Sequence, residues 1–107
     1  MSQKYTHRDR KLLDLAHKLD MCQINLPGIC IGYMPDGCEP AHSNQSIHGK
    51  GMHHKAHDIY HAAACRECHQ EIDQGRKLSR EEKAEYWQRG FEKTMLEYWK
   101  RGWVVVK

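Results

Sequence analysis

The sequence predicts a small α+β domain folded around a metal ion, with a helix at either end. Three observations lead there. Cysteines come in two separated sets, Cys22 with Cys30 and Cys65 with Cys68; helical periodicity fills both ends of the chain; and two strand-like stretches lie between the thiols. At 107 residues the chain is one domain or part of one. A hydrophobic content of 39%, a charged content of 29% and a mean hydropathy of −0.88 leave little for a core. Small domains commonly add a metal or disulfides as a staple.

The chain turns on Cys65-Arg66-Glu67-Cys68-His69. Two thiols three positions apart reach one ion when a tight turn or helix start joins them, and a closed structural zinc site needs four ligands. The second half comes from Cys22 and Cys30, with Pro27-Gly28 as the turn between them. Their spacing is longer than that usual for paired zinc cysteines. Cys38 is then a free thiol; the alternatives are that it replaces Cys30, or that His69 replaces a cysteine.

In chain order, Thr6 to about Asp20 reads as a helix. Thr6 can cap it, with Asp9 three positions on, and Leu12, Leu15, Ala16 and Leu19 make its apolar stripe. Arg8, Arg10, Lys11 and Lys18 read as a solvated face. Pro35-Asp36-Gly37 marks a turn, and Glu39 to Ser43 a short strand that Pro40 confines to an edge or a start. Asn44 to Lys55 is a loop rich in Gly, His and Lys. Asp58 to Ala64 reads as a second strand, and Cys65 opens a helix that Gly75 ends. Glu71 on that helix is expected in solvent. Ser79 and Glu82 form a capping box that starts the longest helix, to about Arg101 with Gly102 as its stop. Ala84, Trp87, Phe91, Met95 and Tyr98 give it a core face, widened by Leu96 and Trp99. The tail Trp103-Val104-Val105-Val106 is strand-like. One domain over 1–107 thus divides into an N-terminal helix at 1–20, a metal-bound core at 21–75, and a C-terminal helix with a short strand at 79–107.

Nothing apolar follows the opening Met-Ser-Gln-Lys-Tyr, so no secretion signal is expected, and no apolar run approaches the ~20 residues of a membrane span. The cytosol is the expected compartment, where cysteines serve more often as reduced ligands than as disulfides. A charge of +3 and pI near 8.6 permit a nucleic-acid partner without demanding one. Six of nine histidines, His42, His48, His53, His54, His57 and His61, lie between the cysteine sets. Histidine is the commonest metal ligand and a general base near neutral pH. His48, His53 and His54 read as exposed loop residues.

The order of these pieces resembles the HNH branch of the ββα-metal nucleases, built on a zinc treble clef, and more narrowly the YbcO-like nucleases of phages and prophages. The residues carrying the likeness are Leu-Pro-Gly-x-Cys at 26–30, Ala41-His42, Gly49-Lys50-Gly51, Asp58, and Cys65-x-x-Cys68-His69-x-x-Ile72-Asp73. The resemblance implies a metal-dependent endonuclease that hydrolyses DNA phosphodiester bonds. His42 would be the general base and His69 a ligand of the catalytic ion. Cys22, Cys30, Cys65 and Cys68 would hold a structural zinc. The chain departs from the family pattern in two places. Ala41 occupies the usual acidic ligand position before the first histidine, and the middle segment has no Asn. Asp58 is assigned either the middle role or that of the missing carboxylate ligand, with Asp73 and Glu39 in reserve. The second ion would be Mg or Mn, with Zn or Ni as further candidates. Lys50 and Lys55 are expected to meet the DNA backbone. The alternative is a non-catalytic zinc module that binds nucleic acid or a protein. Cys-x-x-Cys-His is also the c-type haem pattern, which the absence of an export signal disfavours.

Overall fold

The structure, a computed structural model, describes residues 8–45 and 57–104. The elements run α1 (Arg10–Asp14), a 3-10 turn (Ala16–Lys18), β1 (Glu39–His42), β2 (His61–Ala64), α2 (Arg66–Gln74) and α3 (Arg80–Lys100). The architecture is a small α+β one, with two antiparallel strands under a long helix.

The N-terminal helix is shorter than periodicity suggests. Asp9 caps it, accepting from the Leu12 amide at 3.2 Å, and Thr6 lies outside the described residues. After Asp14 the backbone tightens to i→i−3 bonds, Lys18 N to Leu15 O and Leu19 N to Ala16 O. The tightened turn puts the Leu19 carbonyl on the Cys38 amide at 2.8 Å and buries Ala16 and Leu19. Leu12 and Leu15 are half-buried.

Residues 21–33 form a knuckle, closed by the Met21–Tyr33 bridge and the bond from Cys22 N to Gly32 O. Its reversal uses left-handed backbone at Asn25 (φ 58°) and Gly28 (φ 72°), conformations that Asn and Gly adopt at least cost. β1 pairs with β2 from Glu39–Ala64 to His42–His61. Both strands are shorter than expected: Ser43 falls outside β1, and Asp58 to Tyr60 make a turn, with Tyr60 N bonded to His57 O at 2.9 Å. Ala62, Ala63 and Ala64 are completely buried. Their small side chains let elements close on both faces of β2.

Cys65 is the N-cap of α2, its sulfur accepting from the Cys68 amide. Glu71 is a correction to the expected solvated residue. It is 6% exposed, and its carboxylate accepts the amides of Lys77 and Leu78 at 2.9 and 3.0 Å. It thereby satisfies the backbone of the α2–α3 connection, which has no ladder of its own. The Ser79–Glu82 capping box is present in full.

α3 lays one stripe on the strands: Trp87, Gly90, Thr94 and Tyr98 are buried, and Ala84, Phe91 and Met95 half-buried. Leu96 and Trp99 do not widen it; they stand 50% and 54% exposed. Two short strands offer width for a single helical stripe, and these two positions lie round its flank. Three side chains stitch the stripe down. Trp87 Nε1 donates to Ala41 O at 2.9 Å, Ala63 N donates to Thr94 Oγ1 at 2.9 Å, and Tyr98 reaches His61. Gly90 is required by close approach, since a Cβ there would stand 2.6 Å from Ile24 Cγ1 and 3.0 Å from Ile24 Cα. Trp103 and Val104 follow Gly102 without forming a strand; Val105 and Val106 lie outside the described residues.

Candidate functional site

Two sites draw on residues of α2. The first is the cysteine cluster. The knuckle brings Cys22 and Cys30 to the start of α2, and one sulfur from each of Cys22, Cys30, Cys65 and Cys68 lies within 4.8 Å of the others. Cys65 and Cys30 sulfurs are 3.9 Å apart, close to the about 3.8 Å that tetrahedral Zn–S bonds impose. Backbone amides face every sulfur: Asn25 N on Cys22 at 3.5 Å, Gly32 N on Cys30 at 3.2 Å, Cys68 N on Cys65 at 3.4 Å and Leu26 N on Cys68 at 3.4 Å. Such donors stabilise thiolates and orient them for an ion. The Cys22 thiol is pulled down to about 4, first by its bond with Cys68 and against burial, while the same bond and burial push Cys68 up. Thiols crowded this closely cannot all ionise by themselves; a divalent cation removes that conflict. The four can therefore hold a metal such as zinc. Cys38 is not among them. It is wholly buried, and burial pushes its thiol up to about 12. His69 is not among them either.

The second site is a cleft of about 710 Å³ lined by Leu13, His17, Glu39, Pro40, His42, Ser43, Asn44, His69, Asp73 and Gln74. His42, at the end of β1, and His69, on the first turns of α2, open onto this same cleft. His42 Nε2 is 3.0 Å from Asp58 Oδ1. The other donors on that carboxylate are Asp9 N at 2.5 Å and Arg8 Nη1 at 3.2 Å. Burial would raise Asp58, but the His42, Asp9 and Arg8 contacts together hold it below its ordinary value. A carboxylate accepts only, so the neutral His42 ring carries its proton on Nε2 and leaves Nδ1 as the basic atom.

His69 is bracketed by acid on both ring nitrogens. Nδ1 meets Glu39 Oε1 at 2.8 Å and Nε2 meets Asp73 Oδ2 at 3.3 Å. Asp73 leads in raising its pKa, burial opposes, and Glu39 adds to the rise. Arg66 Nε lies 3.6 Å from the other Glu39 oxygen. Asn44 Nδ2 donates to Ile72 O at 2.7 Å, tying the segment after β1 to α2.

Of the residues singled out in the sequence, the four cysteines come together, and His42 and His69 share the cleft. Asp58 is placed on His42; the carboxylates on His69 are Glu39 and Asp73. Lys50 and Lys55, with His48, His53 and His54, lie outside the described residues. Arg8, expected on a solvated face, pairs with Asp58 fifty positions on, and nothing in the sequence marks His17 and Asn44 for the cleft wall. The signal for these is purely tertiary. Among the described residues no helix is long and apolar enough to cross a membrane.

A family model described as "Putative nuclease YbcO" matches residues 11–103. A solved structure titled "Structure of a putative bacteriophage protein from Escherichia coli str. K-12 substr. MG1655" is similar with a TM-score of 0.62 and 27% identity, over 83% of this chain and 96% of that one. No curated protein matches. The family match runs from α1 through α3 and takes in both the cysteine cluster and the cleft: the chain belongs to the YbcO family.

Proposed function

We propose that the chain is a single-domain, metal-dependent endonuclease of the HNH type that hydrolyses DNA phosphodiester bonds, on a treble-clef core held by a zinc ion on the four cysteines. The observation that carries this reading is the placement of His42 and His69 on one cleft, with a carboxylate behind the first and two carboxylates on the second. The family description and the phage origin in the neighbour's title support it.

Phosphodiester hydrolysis needs a water made nucleophilic and the developing negative charge stabilised. His42 does the first: Nδ1 accepts the proton of a water in the cleft, while Asp58 holds the ring by Nε2–H and stabilises the imidazolium that forms. Arg8 and the Asp9 amide keep that carboxylate ionised and fixed. His69, Glu39 and Asp73 are one imidazole and two carboxylates, donor types that suit Mg, Mn or Zn. The two acids meet opposite nitrogens of the ring, so to hold the second ion His69 would exchange one of these contacts for the metal and the acid beside it would turn to share the ion. Such an ion, when bound, stabilises charge on the phosphate oxygens. Asp58 is then the partner of the base and not a ligand, because three protein donors already occupy its two oxygens. Glu39, two positions before Ala41 on the same strand, takes the place of the acidic ligand that Ala41 lacks.

The test is to reload chelator-treated protein with one zinc per chain and incubate it with plasmid DNA and added Mg, Mn, Zn or Ni. Nicking that depends on the added ion is expected. No nicking under any ion would instead favour the non-catalytic zinc module, a reading that Ala41 at the usual ligand position keeps in view.

A further inference from the structure

Asp58 lies in a turn, outside the strand ladder, yet its carboxylate must be held within a few tenths of an ångström to orient His42. What fixes the turn is beneath it. His61, the first residue of β2, is completely buried; its Nδ1 is 2.6 Å from the Asp58 carbonyl oxygen and its Nε2 is 2.9 Å from the Tyr98 hydroxyl. A carbonyl can only accept, so Nδ1 carries the proton. Nε2 of the neutral ring is then an acceptor, and the Tyr98 hydroxyl must donate to it. Tyr98 is itself wholly buried on α3, with its ring 5.8 Å from that of His61. The bond directions in this chain, from Tyr98 through His61 to Asp58, leave no alternative tautomer for a neutral ring.

We infer that His61 and Tyr98 are positioning residues of the cleft: they lock the backbone of Asp58 from inside the protein, so that its side chain meets His42. The inference rests on the nuclease reading for its catalytic consequence but not for its geometry. Burial keeps His61 neutral, its pKa lowered to about 4. The His61 ring centroid is 6.5 Å from that of His42, and a charge there would oppose the imidazolium formed in the reaction. Neutral His61 therefore supports the base both by what it holds and by the charge it does not carry. α3, remote from the cleft in sequence, becomes part of the catalytic frame.

Tyr98→Phe keeps the packed ring and removes only the hydroxyl; His61→Asn removes the link as well. The readouts are kcat and KM for plasmid nicking, zinc content, and the ¹⁵N resonances of the histidine rings. In the parent protein His61 should show the Nδ1–H tautomer, the less common one in water, and His42 the Nε2–H tautomer. Tyr98→Phe should shift the His42 ring resonances and lower kcat by about tenfold or more, with KM within about twofold of the parent value and zinc retained. An Nε2–H tautomer at His61 in the parent overturns the inference. So does a Tyr98→Phe protein with parental His42 resonances and parental kcat. A parent protein that cuts no DNA overturns the nuclease reading alone, and the ring resonances then decide the positioning by themselves.

Discussion

The Nε2 of His42 stands 3.0 Å from Oδ1 of Asp58, although the two lie in different elements and sixteen positions apart. The pair joins the end of β1 to the turn before β2. It gives one imidazole on the cleft a defined tautomer and a buried counter-charge, while the other, His69, has acid on both sides.

Asp58→Asn tests that pairing. Arg8 and His42 share Oδ1 while Asp9 N meets Oδ2, so an amide that keeps its oxygen for Asp9 N turns its NH2 toward both Arg8 and His42. It loses the Arg8 contact and forces the His42 proton onto Nδ1, the atom that the proposed mechanism uses as base. Nicking should fall by about two orders of magnitude or more. Stability should drop by about 1–3 kcal/mol through the loss of the ionised acceptor. Parental nicking by Asp58→Asn would show that the tautomer of His42 is immaterial.

Cys68→Ser, or a strong chelator, should unfold the protein and not merely inactivate it. Structural zinc in small domains contributes about 10 kcal/mol or more to folding, comparable to the whole stability of a domain this size. Circular dichroism with metal analysis reads this directly. Cys38→Ser is the control: its sulfur lies outside the cluster, so the zinc content should stay at one per chain.

Gly90→Ala should destabilise the protein even though alanine is the better helix former. The propensity gain is about 1 kcal/mol, while the Cβ would stand 3.0 Å from Ile24 Cα, backbone that cannot swing aside. Overpacking of this kind costs about 1–3 kcal/mol, so the net change should be a lower melting temperature. A higher one would mean the knuckle yields easily to α3.

Acid should weaken the fold through His61, apart from any loss of metal from the thiolates. Its folded pKa is lowered to about 4, against about 6.5 in an unfolded chain. Between those values the unfolded state takes up a proton that the native state refuses, so stability falls as pH drops from about 6.5 toward 4, at no more than about 1.4 kcal/mol per pH unit from this group. Asp58 adds its own loss lower down, as pH falls through its depressed folded value. Urea unfolding at pH 7 and pH 5.5, with zinc content followed, measures the slope. Titration of His61 near 6.5 in the folded protein, followed by NMR, would contradict its burial.

What could be read from the sequence was local or chemically distinctive. The Cys65–Cys68 pair, its helix start, the Ser79–Glu82 box and the Pro27-Gly28 turn are short-range patterns, and thiols have few other uses in such a chain. Glu71 could not be placed, because a carboxylate on a polar helix face looks solvated until the following loop folds back onto it. Leu96 and Trp99 misled for a related reason: periodicity marks an apolar face but not how wide a partner awaits it. The acids on His69 are Glu39 on another element and Asp73 one helical turn on; the sequence offers both only as reserves behind Asp58, because the pairing of each acid with its imidazole is decided by packing. The same holds for Arg8 with Asp58 and for His61 with Tyr98, where burial decides the role of each ring.

The central claim is that His42 is the base of a hydrolytic site. The most direct measurement is plasmid nicking by His42→Ala alongside the parent, with zinc content and melting temperature recorded on the same preparations. The variant should keep its zinc and its fold and lose nicking by about three orders of magnitude. A His42→Ala protein that cuts DNA at the parental rate contradicts that role for His42.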